Sequence, residues 1–316
     1  RSSADDRAYD APVGGMSMNW NSVNIYVRPG EGLGLPPKIF ADVTSPYLKI
    51  VNSAKTVAAG RGKTIVVERK AEAGFAGDVI VINGAIAADI PEIVIYKSIS
   101  QPDKWAGHNL VEFLKQRGIA VKGSVKTGET PARAVVLAAS ESRPLASSLA
   151  DMMKWSNNFV AESLVKTLAA ENGEKPATMA GGMLIVQTYL QSIGLKPGEY
   201  EFLNAAGLTR KNKLSVLQIG RMLEHIRGDF TSFPEYLSAL PIGGVDGTLR
   251  SRMKGGPAER WVRAKTGLLN GVVGLAGYAG RPNGSIASFA FVYNGGGRED
   301  KARALFDRMA GMIVEE

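Results

Sequence analysis

Hydrophobic periodicity changes near Trp105, and that change constrains the fold of this chain more than any other feature of its sequence. Upstream, short apolar or alternating runs recur between turn residues. In SVNIYVR, Val23, Ile25 and Val27 alternate with Asn24, Tyr26 and Arg28; TIVVERK, GDVIVINGAI and EIVIYKSI follow between turn residues, which predicts a β-rich region. Downstream the period becomes helical. HNLVEFLKQRG sets Leu110, Phe113 and Leu114 on one face with Gly118 as a stop, and helical patterns dominate from Pro144 to Leu240. The chain then returns to strands in WVRAKTGLL, GVVGLAGYAG and SIASFAFVYNG, and closes on a helix whose Ala302, Leu305, Phe306, Met309 and Ile313 share a face. This predicts a β-rich domain over residues 1–105 and an α+β domain (loosely α/β) over residues 106–316, with an antiparallel sheet flanked by helices.

Composition removes several chemistries. With no Cys among 316 residues there is no disulfide framework, thiolate nucleophile or Cys-ligated metal. His108 and His225 are the only histidines, and neither stands in a metal-binding pair or beside a candidate nucleophile, so zinc hydrolysis and a Ser-His-Asp triad are both disfavoured. The excess of 38 Lys+Arg over 30 Asp+Glu is scattered, its tightest cluster being Arg210-Lys211-Asn212-Lys213. That distribution argues for a solvated face, or for steering towards an anionic matrix such as a bacterial wall, rather than for nucleic acid. No stretch is long and apolar enough for a membrane-spanning helix.

Two short motifs can carry chemistry. In AKTGLLNG, Lys265-Thr266-Gly267 enters a strand, offering a cation, a hydroxyl and, at Gly267, a backbone that a substrate can approach closely. The strand edge itself offers a ladder for an extended peptide. A second copy, Lys126-Thr127-Gly128, lies in a polar turn without an apolar strand behind it and reads as coincidence. In MMKWSNNFVAESLVK, Ser156-Asn157-Asn158 precedes an amphipathic helix, where helix capping alone is the simplest explanation. An S-x-N followed by K-T-G, with an S-x-x-K serine, is the signature of class A β-lactamases and penicillin-binding proteins.

Here Ser156 and Lys265 stand in that order, and three longer blocks extend the likeness: KWSNNFVAESLVK, NAAGLTRKNKLS and PIGGVDGTLRSRMKG. From Tyr9-Asp10-Ala11-Pro12 onward the chain resembles the type-4 penicillin-binding proteins, the D-alanyl-D-alanine carboxypeptidase/endopeptidases of bacterial cell-wall metabolism. The resemblance implies a penicillin-binding/β-lactamase-like fold and a serine acyl-enzyme mechanism on peptidoglycan stem peptides, inhibited by β-lactams, with no metal or organic cofactor. It implies that Ser156 transfers protons and Asn158 holds the substrate amide. Lys265 and Thr266 then bind the carboxylate side of the substrate, and the backbone N–H of Leu268, next to Gly267, joins the oxyanion hole. Arg210 matches an arginine that reads the charged end of the stem peptide; it also reads as a surface residue of a basic loop. The substrate places the protein in the periplasm or outside the cell.

Two features depart from the family pattern. Many relatives carry Ser or Thr where this chain has Leu268, which predicts endopeptidase action on cross-links over carboxypeptidase action. The S-x-x-K nucleophile is expected far upstream of Ser156, yet the two matches, Ser163 to Lys166 and Ser251 to Lys254, both follow it. On a helix Ser163 stands about 10 Å along the axis from Ser156, too far for direct proton transfer. The expectation is that the nucleophile and its lysine lie on a preceding N-terminal segment, with residues 1–105 the second half of a domain inserted between the motifs. A wall-binding module or pseudoenzyme, with the cleft but no nucleophile, is the alternative reading.

Overall fold

The alternating segment SVNIYVR forms strand β1 (Ser22–Arg28), with Val23, Ile25 and Val27 fully buried, in a computed structural model that describes residues 6–316. Strands β2 (Lys38–Ala41), β3 (Leu48–Asn52), β4 (Lys55–Val57), β5 (Val66–Lys70), β6 (Asp78–Asn83), β7 (Ala85–Ala87) and β8 (Ile93–Ser98) follow. They make two three-stranded sheets, β2-β1-β8 and β3-β6-β5, and a parallel β4-β7 pair. Gly84 divides the apolar run GDVIVINGAI between β6 and β7. Its φ is +95°, and a Cβ there would lie 2.2 Å from the Thr64 carbonyl oxygen, so only glycine fits the corner.

Helix α1 (Pro102–Gln116) ends as expected before Gly118, whose φ of +76° lets the Ile119 N–H close back on the Leu114 carbonyl. Its buried face is not the expected one. Trp105, Ala106 and Asn109 are buried, whereas Leu110 and Phe113 are exposed. Trp105 lies wholly inside the β core, edge-on to Tyr47 at 5.7 Å, with its indole N–H donating to the Met18 carbonyl at 3.1 Å. The indole combines a large apolar ring seated in the β core with a satisfied N–H, and it fixes the orientation of the helix. The same anchoring assigns α1 to the first unit. That unit runs to Ala139, the second from Ser140 to Glu316, so the division falls later than the sequence-based boundary at 105.

The second unit begins with helices α2 (Leu145–Trp155), α3 (Asn158–Glu171), α4 (Met179–Ser192), α5 (Val216–Gly228) and α6 (Phe233–Ala239). Strands β9 (Val262–Leu269), β10 (Val272–Gly280) and β11 (Ile286–Asn294) and helix α7 (Glu299–Glu315) complete it. The sheet is antiparallel in the order β11-β10-β9, giving the expected mixed α+β fold. Alternation along β10 serves both faces. Val273, Leu275 and Ala279 join Phe306, Ala310 and Val314 of α7, while Tyr278 points the other way against Leu223 and Leu240. The Tyr278 hydroxyl, pushed well above the usual phenol range by burial, donates to the Leu223 carbonyl at 2.7 Å. Leu305 of α7 is exposed rather than on the core face, because the buried stripe runs through Ala302, Phe306, Ala310 and Val314. Helices α3 and α4 approach closely at Gly182, where a Cβ would lie 1.9 Å from the Val165 carbonyl oxygen.

Candidate active site

Ser156-Asn157-Asn158 occupies the joint between α2 and α3. Ser156 caps the C-terminus of α2 in the left-handed conformation (φ 56°, ψ 47°), and the Asn157 N–H returns to the Met152 carbonyl at 3.1 Å. Asn157 then caps α3, its side-chain oxygen accepting the Val160 N–H at 3.2 Å. Helix capping therefore accounts for the middle asparagine, as composition alone suggested. It does not account for Ser156, since a non-glycine residue in this conformation costs roughly 1–3 kcal/mol and persists where the surroundings enforce it. Asn158 opens α3, half-buried, and its side chain makes no hydrogen bond among the described residues.

Strand β9 brings Lys265 to the same point. Val262 and Ala264 face the α7 core, so the pleat turns Lys265 to the opposite face. The Lys265 Nζ donates to the Ser156 Oγ at 2.7 Å and to the Thr266 carbonyl at 2.7 Å. Burial removes water from this ammonium and lowers its pKa from 10.5 to about 8. The Thr266 hydroxyl is paired with that of Thr248 at 2.8 Å. The sequence blocks contained Thr248 without marking it; nothing in local spacing shows that it meets β9.

The outer edge of β9 is half covered. Pro241–Gly243 pairs with it through Ala264 N–H to the Pro241 carbonyl (3.0 Å) and Gly243 N–H to the Val262 carbonyl (2.9 Å). The unbroken register with β10 carries the alternation onward, so the N–H groups of Thr266 and Leu268 point to that outer edge as Ala264 does. Beyond Ala264 the edge has no further backbone partner among the described residues. Around Gly267 the backbone is open: an added Cβ would meet nothing nearer than 3.8 Å. The Leu268 side chain is 60% exposed.

Arg210 is exposed and donates to the Asn270 carbonyl in the β9–β10 turn. Its loop is held by two asparagines. The Asn212 side-chain oxygen accepts the Leu203 N–H at 2.8 Å, and its amide donates to the Asn204 carbonyl at 2.7 Å. From the loop between α4 and α5, Arg210 thus reaches the tip of the hairpin that carries Lys265. The remaining candidates make no hydrogen bond to this cluster among the described residues. The Ser163 hydroxyl is spent on the Phe159 carbonyl at 2.8 Å, Ser251 is exposed in a turn, and Lys126-Thr127-Gly128 is exposed chain in the first unit. His108 and His225 pack on Tyr47 and Tyr189, at 6.2 Å and 6.0 Å between ring centres.

The site is therefore a hydroxyl and a weakened ammonium in contact, beside an open strand edge. Comparison with known proteins gives that arrangement a family. Residues 3–315 match the D-Ala-D-Ala carboxypeptidase 3 (S13) family. The chain belongs to it. Among S13 relatives, the D-alanyl-D-alanine carboxypeptidase of Actinomadura sp. (strain R39) is 33% identical over 273 residues, covering 83% of this chain and 49% of that protein. The D-alanyl-D-alanine carboxypeptidase DacB of Haemophilus influenzae is 31% identical over 218 residues, covering 68% of this chain and 45% of that one. The chain thus spans about half the length of these curated S13 relatives. Its fold is that of the crystal structure of penicillin binding protein 4 (dacB) from Haemophilus influenzae, with a TM-score of 0.78, 23% identity, and coverage of 96% of this chain and 69% of that one. The expected membership of the type-4 penicillin-binding proteins holds.

Proposed function

We propose that this chain supplies the S-x-N and K-T-G part of a serine D,D-peptidase active site that cleaves D-alanyl bonds of peptidoglycan stem peptides. The observation that carries the reading is the 2.7 Å contact between the Lys265 ammonium and the Ser156 hydroxyl, with that ammonium desolvated to a pKa of about 8. A hydroxyl held by a cation of reduced proton affinity can pass a proton to a leaving amine, which a serine without such a partner cannot.

In this mechanism a nucleophilic serine gives up its hydroxyl proton to its partner lysine and attacks the D-alanyl carbonyl, forming a C–O bond. The C–N bond breaks as Ser156 delivers a proton to the departing nitrogen, and water then hydrolyses the ester. Asn158 holds the substrate amide and Thr266 its carboxylate side. The Leu268 N–H, aimed at the open edge, stabilises the oxyanion. Arg210, at the hairpin tip, reads the charged end of the stem peptide. The nucleophile and its lysine come from a segment preceding this chain. Two observations support that part: the Ser163 hydroxyl is committed to its own helix, and the matched region is only 49% and 45% of the curated relatives' own length. The first unit is then part of a domain inserted between the motifs. A β-lactam, as a strained amide, enters the same path and stays as the ester; a structure of the Haemophilus influenzae protein in complex with a novel β-lactam matches this chain with a TM-score of 0.74. The substrate implies a periplasmic or secreted protein.

Denaturing intact-mass spectrometry of the purified protein, with and without penicillin and recording every polypeptide, tests the reading. The expected mass gain falls on an N-terminal companion or on a longer chain containing this one. A gain on the 316-residue chain alone reopens Ser163 as nucleophile, and no gain at all favours a wall-binding module that lacks the reaction.

A further inference from the structure

Beneath Ser156 lies an ion pair that the chemistry above does not use. The Lys154 Nζ, two residues before Ser156, donates to the Asp246 Oδ2 at 2.7 Å and to the Leu240 carbonyl at 2.9 Å. The other Asp246 oxygen accepts the Ile242 N–H at 2.9 Å. Ile242 in turn sits opposite Arg263 in an antiparallel bridge on β9, two residues before Lys265. The contacts close a ring: Ser156 to Lys265, along β9 to Arg263 and Ile242, through Asp246 to Lys154, and back along α2 to Ser156. Backbone packing tightens it. Gly247, next to Asp246, has φ +53°, and a Cβ there would come within 2.6 Å of the Lys154 carbonyl oxygen, so only glycine allows this approach. On the far side of Gly247, Thr248 ties the same loop to Thr266.

We propose that Lys154 and Asp246 are positioning residues: their ion pair holds the end of α2, and with it the Ser156 hydroxyl, at proton-transfer distance from Lys265. The proposal rests on the peptidase reading for what the positioning accomplishes, but the hold itself is a property of this chain. Three physical points support it. Ser156 stands in a conformation that a lone serine avoids, so something must maintain it. The side chains of the pair are only 20% and 34% exposed, and both ends carry second hydrogen bonds, which sets the pair apart from a solvated surface contact. Neither group contacts Ser156, Lys265 or Thr266 through its side chain, so each acts through the backbone it anchors. The Lys265 and Thr266 side chains have ring-closing contacts of their own, and the ion pair is what joins α2 to the loop beside β9.

The test uses the full-length protein. Asp246→Asn keeps an oxygen for the Ile242 N–H and removes the charge; Lys154→Met removes the cation; Lys154→Arg preserves it. Two quantities are read with a fluorescent penicillin: the limiting rate of acylation and the dissociation constant of the complex that precedes it. Asp246→Asn and Lys154→Met are expected to slow acylation by roughly 10- to 100-fold, the penalty of an ångström-scale misplacement, with the dissociation constant unchanged and with Lys154→Arg restoring most of the rate. Amide hydrogen exchange on the same variants is expected to accelerate at Ser156 and Asn157 while β10 and α7 keep their protection. Wild-type acylation rates in both disrupting variants would overturn the proposal, as would exchange that accelerates throughout the second unit. If the wild-type protein is not acylated, the peptidase reading fails instead, and exchange alone decides: local acceleration upholds the hold on Ser156 and none removes it.

Discussion

The chain contains K-T-G twice, and its two units treat the triplet in opposite ways. In the first unit Lys126-Thr127-Gly128 is exposed chain between α1 and α2, outside any strand. In the second, the same three residues lie inside β9, where the pleat turns Lys265 onto Ser156 and burial lowers its proton affinity. Identical chemistry on paper becomes a strengthened acid in one place and a solvated cation-bearing loop in the other. What differs is the scaffold: a paired strand, a helix end enforced in the left-handed conformation, and a loop that covers only half of the strand edge.

Substitutions at the two copies break the comparison most sharply. Ser156→Ala removes the hydroxyl to which the proposed mechanism gives the proton transfer and is expected to lower the β-lactam acylation rate by about 100- to 10,000-fold. Lys265→Ala removes the electrostatic stabilisation and is expected to cost about 100- to 1,000-fold. Lys126→Ala should leave the rate at wild type. Fluorescent-penicillin labelling over time measures all three, and normal labelling of the Ser156 or Lys265 variant sinks the assignment of the site.

The same contrast separates what was legible in the sequence from what was not. Strands β1, β5 and β8 were readable because one-sided burial imposes a period of two on neighbouring residues, and Val23, Ile25 and Val27 obey it; β6, central in its sheet, was readable as a continuous apolar run between turn residues. Ser156 and Lys265 were readable because each sits in a short motif whose partner motif follows in order. Helix α1 was turned the wrong way because Leu110, Phe113 and Leu114 offer a helical stripe as regular as the one that Trp105 begins; only the depth of the indole in the β core decides between them. The Lys154–Asp246 pair spans 92 residues and rests on one long side chain reaching a loop, so no local period announces it. Thr248 was invisible for the same reason.

A pH titration sharpens the comparison at a smaller scale. The Lys265 pKa is depressed from 10.5 to about 8 by desolvation, so the cation is lost as pH rises through about 8. If the reaction uses the cation, the acylation rate is expected to fall above that pH by about tenfold per unit, rather than staying level to beyond pH 10. The sign for stability is the reverse. Between about 8 and 10.5 the unfolded chain still binds a proton that the folded one has released, so folding stability rises with pH across that window. Lys265→Met, which has no proton to lose, should flatten this rise in urea unfolding measured from pH 7 to 10.5. A rate profile level through pH 8 together with an unflattened rise would show that the burial of Lys265 has no chemical consequence.

The smallest expected effect lies one residue past the second triplet. Leu268 points its N–H at the open edge of β9 while its side chain, 60% exposed, offers the substrate no hydroxyl. In the proposed mechanism a free terminal carboxylate at that position is met by Lys265 and Thr266 but by no hydroxyl from Leu268. A cross-link, which presents an amide there instead, loses less. Leu268→Ser restores a donor at a partly exposed position, where one hydrogen bond to a charged group is worth about 1.5 kcal/mol and hence roughly tenfold in rate. The ratio of carboxypeptidase to endopeptidase activity is therefore expected to rise by up to about tenfold, measured by chromatography of the products from an uncross-linked pentapeptide and a cross-linked dimer. The ratio is the informative quantity, because a general loss of stability or of acylation moves both activities together. An unchanged ratio would mean that the choice between free and cross-linked stem peptides is made by another residue. Arg210, whose side chain reaches the tip of this hairpin, is then the residue to vary.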